Sequence, residues 1–316
     1  MRLKKIIIYS LLVLCLPIAG LSQGSGFDIL VTGPNARALG MNGTVTATAL
    51  GASSIYTNPA NLNLEQSSSI SADYSLWIAG LRNSHFAANF KKQHSAIAVG
   101  ILNSQADDFQ LRNSPQPSQG TFSVSYLSIA GAYAYQINNF SAGVTAQYLR
   151  EQFLINDASG YAFNAGLSSQ WFDNILTLST AIRNLGELSK LNQQSTSLPT
   201  EWRMGASTHF MVFDSPSENS LPVELMLAAD YVYPINDDHS NTSNTFIDSS
   251  AFFTLSLGVT LANTLDIYSG YRSEKSERPF SFGTSLNLEN IGVSYAFIPF
   301  NTGFGNAHSI GLSYNF

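Results

Sequence analysis

From Ser67 onward the chain alternates apolar and polar residues with a period of two, strand after strand. In the clearest stretch Phe253, Leu255, Leu257, Val259 and Leu261 alternate with Thr254, Ser256, Gly258 and Thr260. A helix would scatter both sets around its axis; a pleated strand puts each set on one face. The same pattern recurs at Phe140–Tyr148, Val223–Tyr231, Ile291–Phe297 and Ile310–Phe316. It predicts fourteen strands near 68–79, 83–91, 94–103, 121–136, 139–152, 161–171, 175–184, 200–213, 222–233, 251–262, 265–273, 280–288, 290–298 and 306–316. The fourth is long and of mixed parity, which predicts a β-bulge within it.

The connections carry a rhythm of their own. Lys92-Gln93, Ile137-Asn138, Phe172–Asn174 and Asn263-Thr264 are short. Between them Ser104–Gly120, Phe153–Gly160, Leu185–Pro199 and Glu274–Pro279 are longer, and only Asp214–Leu221 breaks the order on the short side. Tight turns at one end and long loops at the other are the habit of a transmembrane barrel. Residues 24–66 lack the alternation and are rich in Gly, Ala, Asn and Thr, with turn signals at Gly33-Pro34 and Asn58-Pro59.

Composition decides which solvent the apolar face meets. Apolar residues make up 44% of the 316-residue chain and charged ones only 11%, well under the share usual in soluble domains. The polar parity is mostly Ser, Thr, Gly and Ala, where a sheet facing bulk water would carry more charge. Charges within the strands fall mostly on this parity, at Asp73, Glu201, Arg203, Glu224 and Asp230, with Arg150 at a strand end; Asp73, Arg203, Glu224 and Asp230 are expected to face the lumen. Tyr133, Tyr135, Phe140, Tyr148, Trp171 and Phe172 gather near strand ends, as in an interfacial girdle. The chain ends in Phe316. The expected fold class is therefore all-β: a 14-stranded antiparallel transmembrane β-barrel over residues 67–316, with residues 23–66 as an N-terminal plug inside it, in a bacterial cell outer membrane.

At the N-terminus Arg2, Lys4 and Lys5 precede an apolar run from Ile6 to Ile18, followed by Gly20-Leu21-Ser22. This reads as a signal peptide over residues 1–22, too short to span a bilayer as a helix. Its removal takes the only cysteine, Cys15, and three basic residues, lowering a net charge of −6 still further. An acidic, thiol-free mature chain is a poor partner for nucleic acid and has no cysteine-based metal or nucleophile site.

The stretch Asn35-Ala-Arg-Ala-Leu-Gly-Met-Asn-Gly43, with Ala52-Ser-Ser-Ile-Tyr-Thr-Asn-Pro-Ala60, resembles the N-terminal signature of the PorV/PorQ family, outer-membrane barrels related to FadL-type transporters. The chain keeps Arg37, Gly40, Gly43, Ser53, Asn58, Pro59, Ala60 and Leu62. It has Asn42 and Asn61 where the family has Gly, and Leu50-Gly51 in place of an acidic pair. Asn184-Leu185-Gly186, after the seventh strand, also looks like the family. The resemblance implies fourteen strands, a lumenal N-terminal segment, and a role as a component or accessory of type IX protein secretion, with secretion-system subunits and secreted cargo as partners. The alternative is a FadL-like channel for small hydrophobic compounds, which would need an apolar lumenal pocket; the Ser- and Thr-rich polar parity weighs mildly against one.

Physically, Gly40 and Gly43 suit close packing against a wall, and Asn58-Pro59 sets a turn without a free amide. Arg37 is expected to pair with Asp73 or Glu224. Arg37, Gly40, Gly43, Asn58, Pro59 and Ala60 together form the motif of the segment, as structural positions before binding ones. Catalytic chemistry is not signalled. His85, His94, His209, His239 and His308 stand at no metal-ligand spacing. Asp107-Asp108 and Asp237-Asp238 read as solvated loop charge, and no nucleophile elbow, P-loop or dinucleotide fingerprint occurs. The chain is expected to be no enzyme and to need no cofactor.

Overall fold

The computed structural model describes residues 29–110, 121–153, 156–189, 198–213, 222–235, 251–273, 276–301, 303 and 305–316. The stretch read as a signal peptide, Cys15, the turn 214–221, Asp237-Asp238 and His239 lie outside the described residues.

Fourteen antiparallel strands close into a ring: β1 Ser69–Leu76, β2 Arg82–Lys92, β3 Ser95–Gln110, β4 Thr121–Ile137, β5 Phe140–Phe153, β6 Asn156–Trp171, β7 Leu176–Leu188, β8 Glu201–Phe213, β9 Val223–Pro234, β10 Phe252–Leu261, β11 Leu265–Arg272, β12 Phe280–Leu288, β13 Ile291–Pro299 and β14 Asn306–Asn315. Each pairs with its sequence neighbour. β14 returns to β1 in a register running from Ser69 opposite Asn315 to Leu76 opposite His308, so no edge is left unpaired.

The two parities separate cleanly. Leu257 is 46% exposed while Ser256 beside it is 6% exposed. In a closed ring the buried parity faces inward, so Ser, Thr, Gly and Ala line the inside and the large apolar residues form an outer belt. Among the described residues no helix is long and apolar enough to cross a membrane; crossing is the work of the strands. At one end of the belt Phe140 stacks edge-on against Trp171, and Phe90 against the terminal Phe316. Short turns cluster at that end. Their left-handed residues (Gln93, Asn138, Phe172, Asp173, Asn174, Ala262, Asn263 and Glu289) let the chain reverse in step with the strand twist.

Three details depart from the expectations. The bulge lies in β3, where the register with β4 shifts between Ala106 and Phe109, and not in the fourth strand. Asp107-Asp108 therefore belongs to β3 and is not loop charge. Strands also run further than the alternation suggested at the long-loop end: β5 and β6 extend to Phe153 and from Asn156, and β7 continues to Leu188. Asn184-Leu185-Gly186 thus lies within β7. The outward residues of these tips mix polar side chains such as Glu187 and Asp157 with Phe153 and Leu185, so the apolar alternation fades there.

Candidate functional site

Residues 29–66 hold one-turn helices at Ile29–Thr32 and Ala36–Gly40 and 3-10 turns at Gly51–Ser54 and Pro59–Asn63. So little regular structure leaves many carbonyls without partners, and buried carbonyls need donors. The wall supplies them from its small polar residues. Ser281 Oγ donates to the Gly40 carbonyl at 2.8 Å, Ser256 to Met41 at 2.8 Å, Ser207 to Ala47 at 3.3 Å, Thr145 to Ile55 at 2.9 Å and Ser141 to Ala60 at 2.7 Å. These donors sit on four strands spread around the ring, β5, β8, β10 and β12, so the Ser- and Thr-rich parity is the complement of an irregular backbone.

The motif residues make that backbone. Asn35 caps the Ala36–Gly40 helix, its Oδ1 accepting from Ala38 N at 2.8 Å. A Cβ on Gly40 would stand 2.5 Å from the Tyr268 ring. Asn42 and Gly43 are left-handed, with φ of 50° and 80°. Asn tolerates this region, and Asn42 Nδ2 also donates to the carbonyls of Arg278 and Pro279. Asn58 caps the second 3-10 turn, with Pro59 at its start; its Nδ2 reaches Thr46 O at 2.9 Å and Ser168 Oγ at 3.0 Å. Asn61 Nδ2 donates to Thr46 O and Ala49 O. Both Asn-for-Gly departures therefore add hydrogen bonds. Ala60 is fully buried.

The inward charges are drawn to the same segment. Asp73 Oδ1 accepts from Ala36 N at 3.0 Å, and its Oδ2 lies 3.1 Å from His85 Nδ1. Asp230 Oδ2 accepts from Val45 N, Thr46 N and Thr46 Oγ1 at 3.0, 2.9 and 2.6 Å. Arg203 Nη2 donates to Gly43 O at 3.0 Å. Glu224 is half-buried near the short-turn end of β9. The partner of Arg37 is neither Asp73 nor Glu224: Arg37 Nη1 meets Asp266 Oδ2 at 2.7 Å, since Asp73 is already engaged by Ala36 and His85. His85, isolated in the sequence, meets that carboxylate because Asp73 and His85 are direct cross-strand partners. Among the described residues no cluster of metal-ligating side chains forms.

Two features were not anticipated. Arg183, buried on β7, donates from Nη2 to Leu30 O at 2.6 Å and pairs with Glu201 of β8 at 3.0 Å. Beside it lies an apolar cluster made of Leu30, Ile55, Tyr56 and Leu62 from the segment, Leu102 and Leu149 from the wall, and Leu188 and Leu198 at the long-loop end, with Ile29 and Tyr126 against it. Leu149 was legible: it sits on the polar parity of a strand whose lipid face is Phe140, Val144 and Tyr148. Leu188 and Leu198 fell within an apparent loop. Burial pushes the Tyr56 phenol above its ordinary range, so it stays protonated and donates to Ser128 O at 3.3 Å. A groove of about 870 Å³ also exists, but residues such as Leu227, Leu255, Leu257 and Phe282 place it on the outer belt, not in the lumen.

No family model and no curated protein matches the chain. Solved structures do. The chain is similar to a CymD monoaromatic hydrocarbon channel (TM-score 0.58, 13% identity, 90% of this chain and 98% of that one). It is similar to the Ralstonia pickettii toluene transporter TbuX (0.59, 12%, 90% and 99%) and to the P. putida toluene transporter TodX (0.56, 11%, 90% and 99%). The chain shares the barrel fold of these proteins. These similarities favour the reading the sequence placed second, and none of them bears on PorV/PorQ membership or type IX secretion.

Proposed function

We propose that the chain is a non-enzymatic outer-membrane channel for small hydrophobic compounds, built as a barrel of residues 67–316 closed by a plug of residues 23–66 and exported by a signal peptide over 1–22. The outer belt sits in outer-membrane lipid. The observation that carries the reading is the leucine cluster within the ring. Leu102, Leu149, Leu188 and Leu198 turn inward and pack against Leu30, Ile55, Tyr56 and Leu62 of the segment, and an apolar patch of this kind in the lumen is what a small hydrocarbon requires. The shared fold with hydrocarbon channels and toluene transporters supports the same class of ligand. Arg37, Gly40, Gly43, Asn58, Pro59 and Ala60 shape the plug, and Asp73, Arg203 and Asp230 hold it. Glu224 completes the four charges expected to face the lumen.

The test is uptake of radiolabelled toluene by cells producing the protein, against cells with an empty vector. Several-fold faster uptake is expected, and Leu149→Asn should lower it while the folded barrel persists in the membrane. Uptake equal to the empty vector overturns the reading.

A second reading rests on the Asn35–Gly43 and Ala52–Ala60 stretches: an accessory of type IX secretion that binds secretion-system subunits and secreted cargo. Affinity purification from native membranes separates the two. Stoichiometric co-purification of secretion proteins, without hydrocarbon uptake, favours this one.

A further inference from the structure

Four buried charges stand together on the inner wall of β7, β8 and β9: Arg183, Glu201, Arg203 and Asp230, each at most 7% exposed. Their formal charges cancel. Arg183 and Glu201 are direct cross-strand partners, and Glu201 and Arg203 are two residues apart on the same face of β8. Glu201 Oε1 lies 3.0 Å from Arg183 Nη1 and 3.9 Å from Arg203 Nη1, between the two cations.

A β-bulge lies beside this arrangement. The β6–β7 register shifts at Asn184, whose φ is 59°, so Arg183 and Asn184 are both buried in succession. The bulge is satisfied locally: Asn164 Oδ1 accepts from Asn184 N at 2.8 Å, and Thr200 Oγ1 donates to Asn184 O at 2.9 Å. Arg183 itself continues the inward parity of Thr177, Ser179 and Ala181 and reaches the N-terminal segment.

The two arginines grip the segment thirteen residues apart, Arg183 at the Leu30 carbonyl and Arg203 at the Gly43 carbonyl. Asp230 takes the amides of Val45 and Thr46 immediately beyond. Elsewhere the wall holds segment carbonyls through hydroxyls and, from Leu62 to Glu65, through Asn89 and Lys91 of β2. Glu201 touches no segment atom itself, yet without it two guanidiniums would face each other in a buried site, and like charges there repel strongly.

We propose that Glu201 is the positioning residue of the N-terminal segment: it holds Arg183 and Arg203 in the geometry that clamps Leu30 and the Gly43–Thr46 stretch against β7–β9. This rests on the plug reading above. Loss of Glu201 releases this stretch of the segment while leaving the ring, whose strand ladders do not involve the side chain, closed.

The mature chain is expected to contain no cysteine, so a single one can report the clamp. Thr44 is fully buried between the residues held by Arg203 and Asp230, and Thr44→Cys is nearly isosteric. Outer-membrane vesicles carrying this variant are treated with a membrane-impermeant maleimide. With Glu201 present, labelling should be slow. With Glu201→Gln it should be about tenfold faster or more, the cost of breaking a buried pair being well above the 1.4 kcal/mol that a factor of ten represents. Glu201→Asp should stay near the native rate. Heat-modifiable migration on gels reports that the barrel is folded in each case. If Glu201→Gln does not assemble, Arg183→Lys serves in its place, since a single ammonium cannot reach both Leu30 O and Glu201 as the guanidinium fork does; it should also speed labelling. Unchanged protection in a folded Glu201→Gln or Arg183→Lys barrel overturns the positioning role. Fast labelling with Glu201 intact overturns the plug reading itself.

Discussion

Two glycines on neighbouring strands show how differently one residue type is used on the two faces of this wall. Gly143 of β5 faces inward, and a Cβ there would run into the backbone of Pro59 and Ala60. Gly131 of β4 faces outward with open space around it. Gly143→Ala should therefore destabilise the folded protein by about 1–3 kcal/mol, the usual cost of overpacking, whereas Gly131→Ala should be within about 1 kcal/mol of neutral. Urea unfolding in lipid vesicles, followed by tryptophan fluorescence, checks both; equal losses would mean that Pro59 does not press on the wall. The motif residues are legible in the same local way. Asn42 and Asn61 look like defects when set against a pattern of glycines, because a pattern records what the backbone needs and not what a side chain adds. Their amides become intelligible only when Arg278, Pro279, Thr46 and Ala49 are seen around them.

At the level of the strand, the period-two pattern carried nearly everything, since a residue's face follows from its parity once one face meets hydrocarbon. All fourteen strands stand in the expected order. What the pattern missed lies where the outer face stops touching the apolar belt: the tips of β3, β5, β6 and β7, and the leucines beyond them. The bulge was expected one strand late because the tip of β4 reverses its chemistry without changing face: Ser123 and Ser125 stand on the outward parity, while Val124 and Tyr126 turn inward, Tyr126 against the apolar cluster. Parity also makes a sharp prediction. Leu257→Arg puts a cation into the belt and should cost roughly 2–4 kcal/mol near mid-bilayer, visible as loss of the heat-modifiable band. Ser256→Ala, one residue away, removes only the hydrogen bond to Met41 O and should cost about 1 kcal/mol. An arginine at 256 is a different matter, because Met41 already fills the space. Comparable losses for Leu257→Arg and Ser256→Ala would undo the assignment of faces.

Taken as a whole, the molecule is a ring and an inner segment held together by different forces. Backbone ladders close the ring, β1 to β14 included, and need nothing from residues 29–66. The segment has its own caps at Asn35, Asn58 and Asn61 but leans on the ring for the rest: carbonyls on wall hydroxyls, Arg183 and Arg203, amides on Asp73 and Asp230, leucines on Leu102 and Leu149. That asymmetry predicts what happens when residues 23–66 are removed with the signal peptide kept. Ser141, Thr145, Ser207, Ser256 and Ser281 lose their carbonyls but gain water, which satisfies a hydroxyl nearly as well. The charge quartet of Arg183, Glu201, Arg203 and Asp230 remains internally balanced and becomes hydrated. The strands should still insert and close, and the emptied lumen, lined by small polar residues, should fill with water. In planar bilayers the shortened protein should give steady ionic currents several-fold above those of the full chain, and mutations in the leucine cluster should alter hydrocarbon uptake without altering that conductance. A shortened chain that never acquires heat-modifiable mobility would show that the ring needs its segment to fold, and the division into an independent wall and a dependent plug would fail with it.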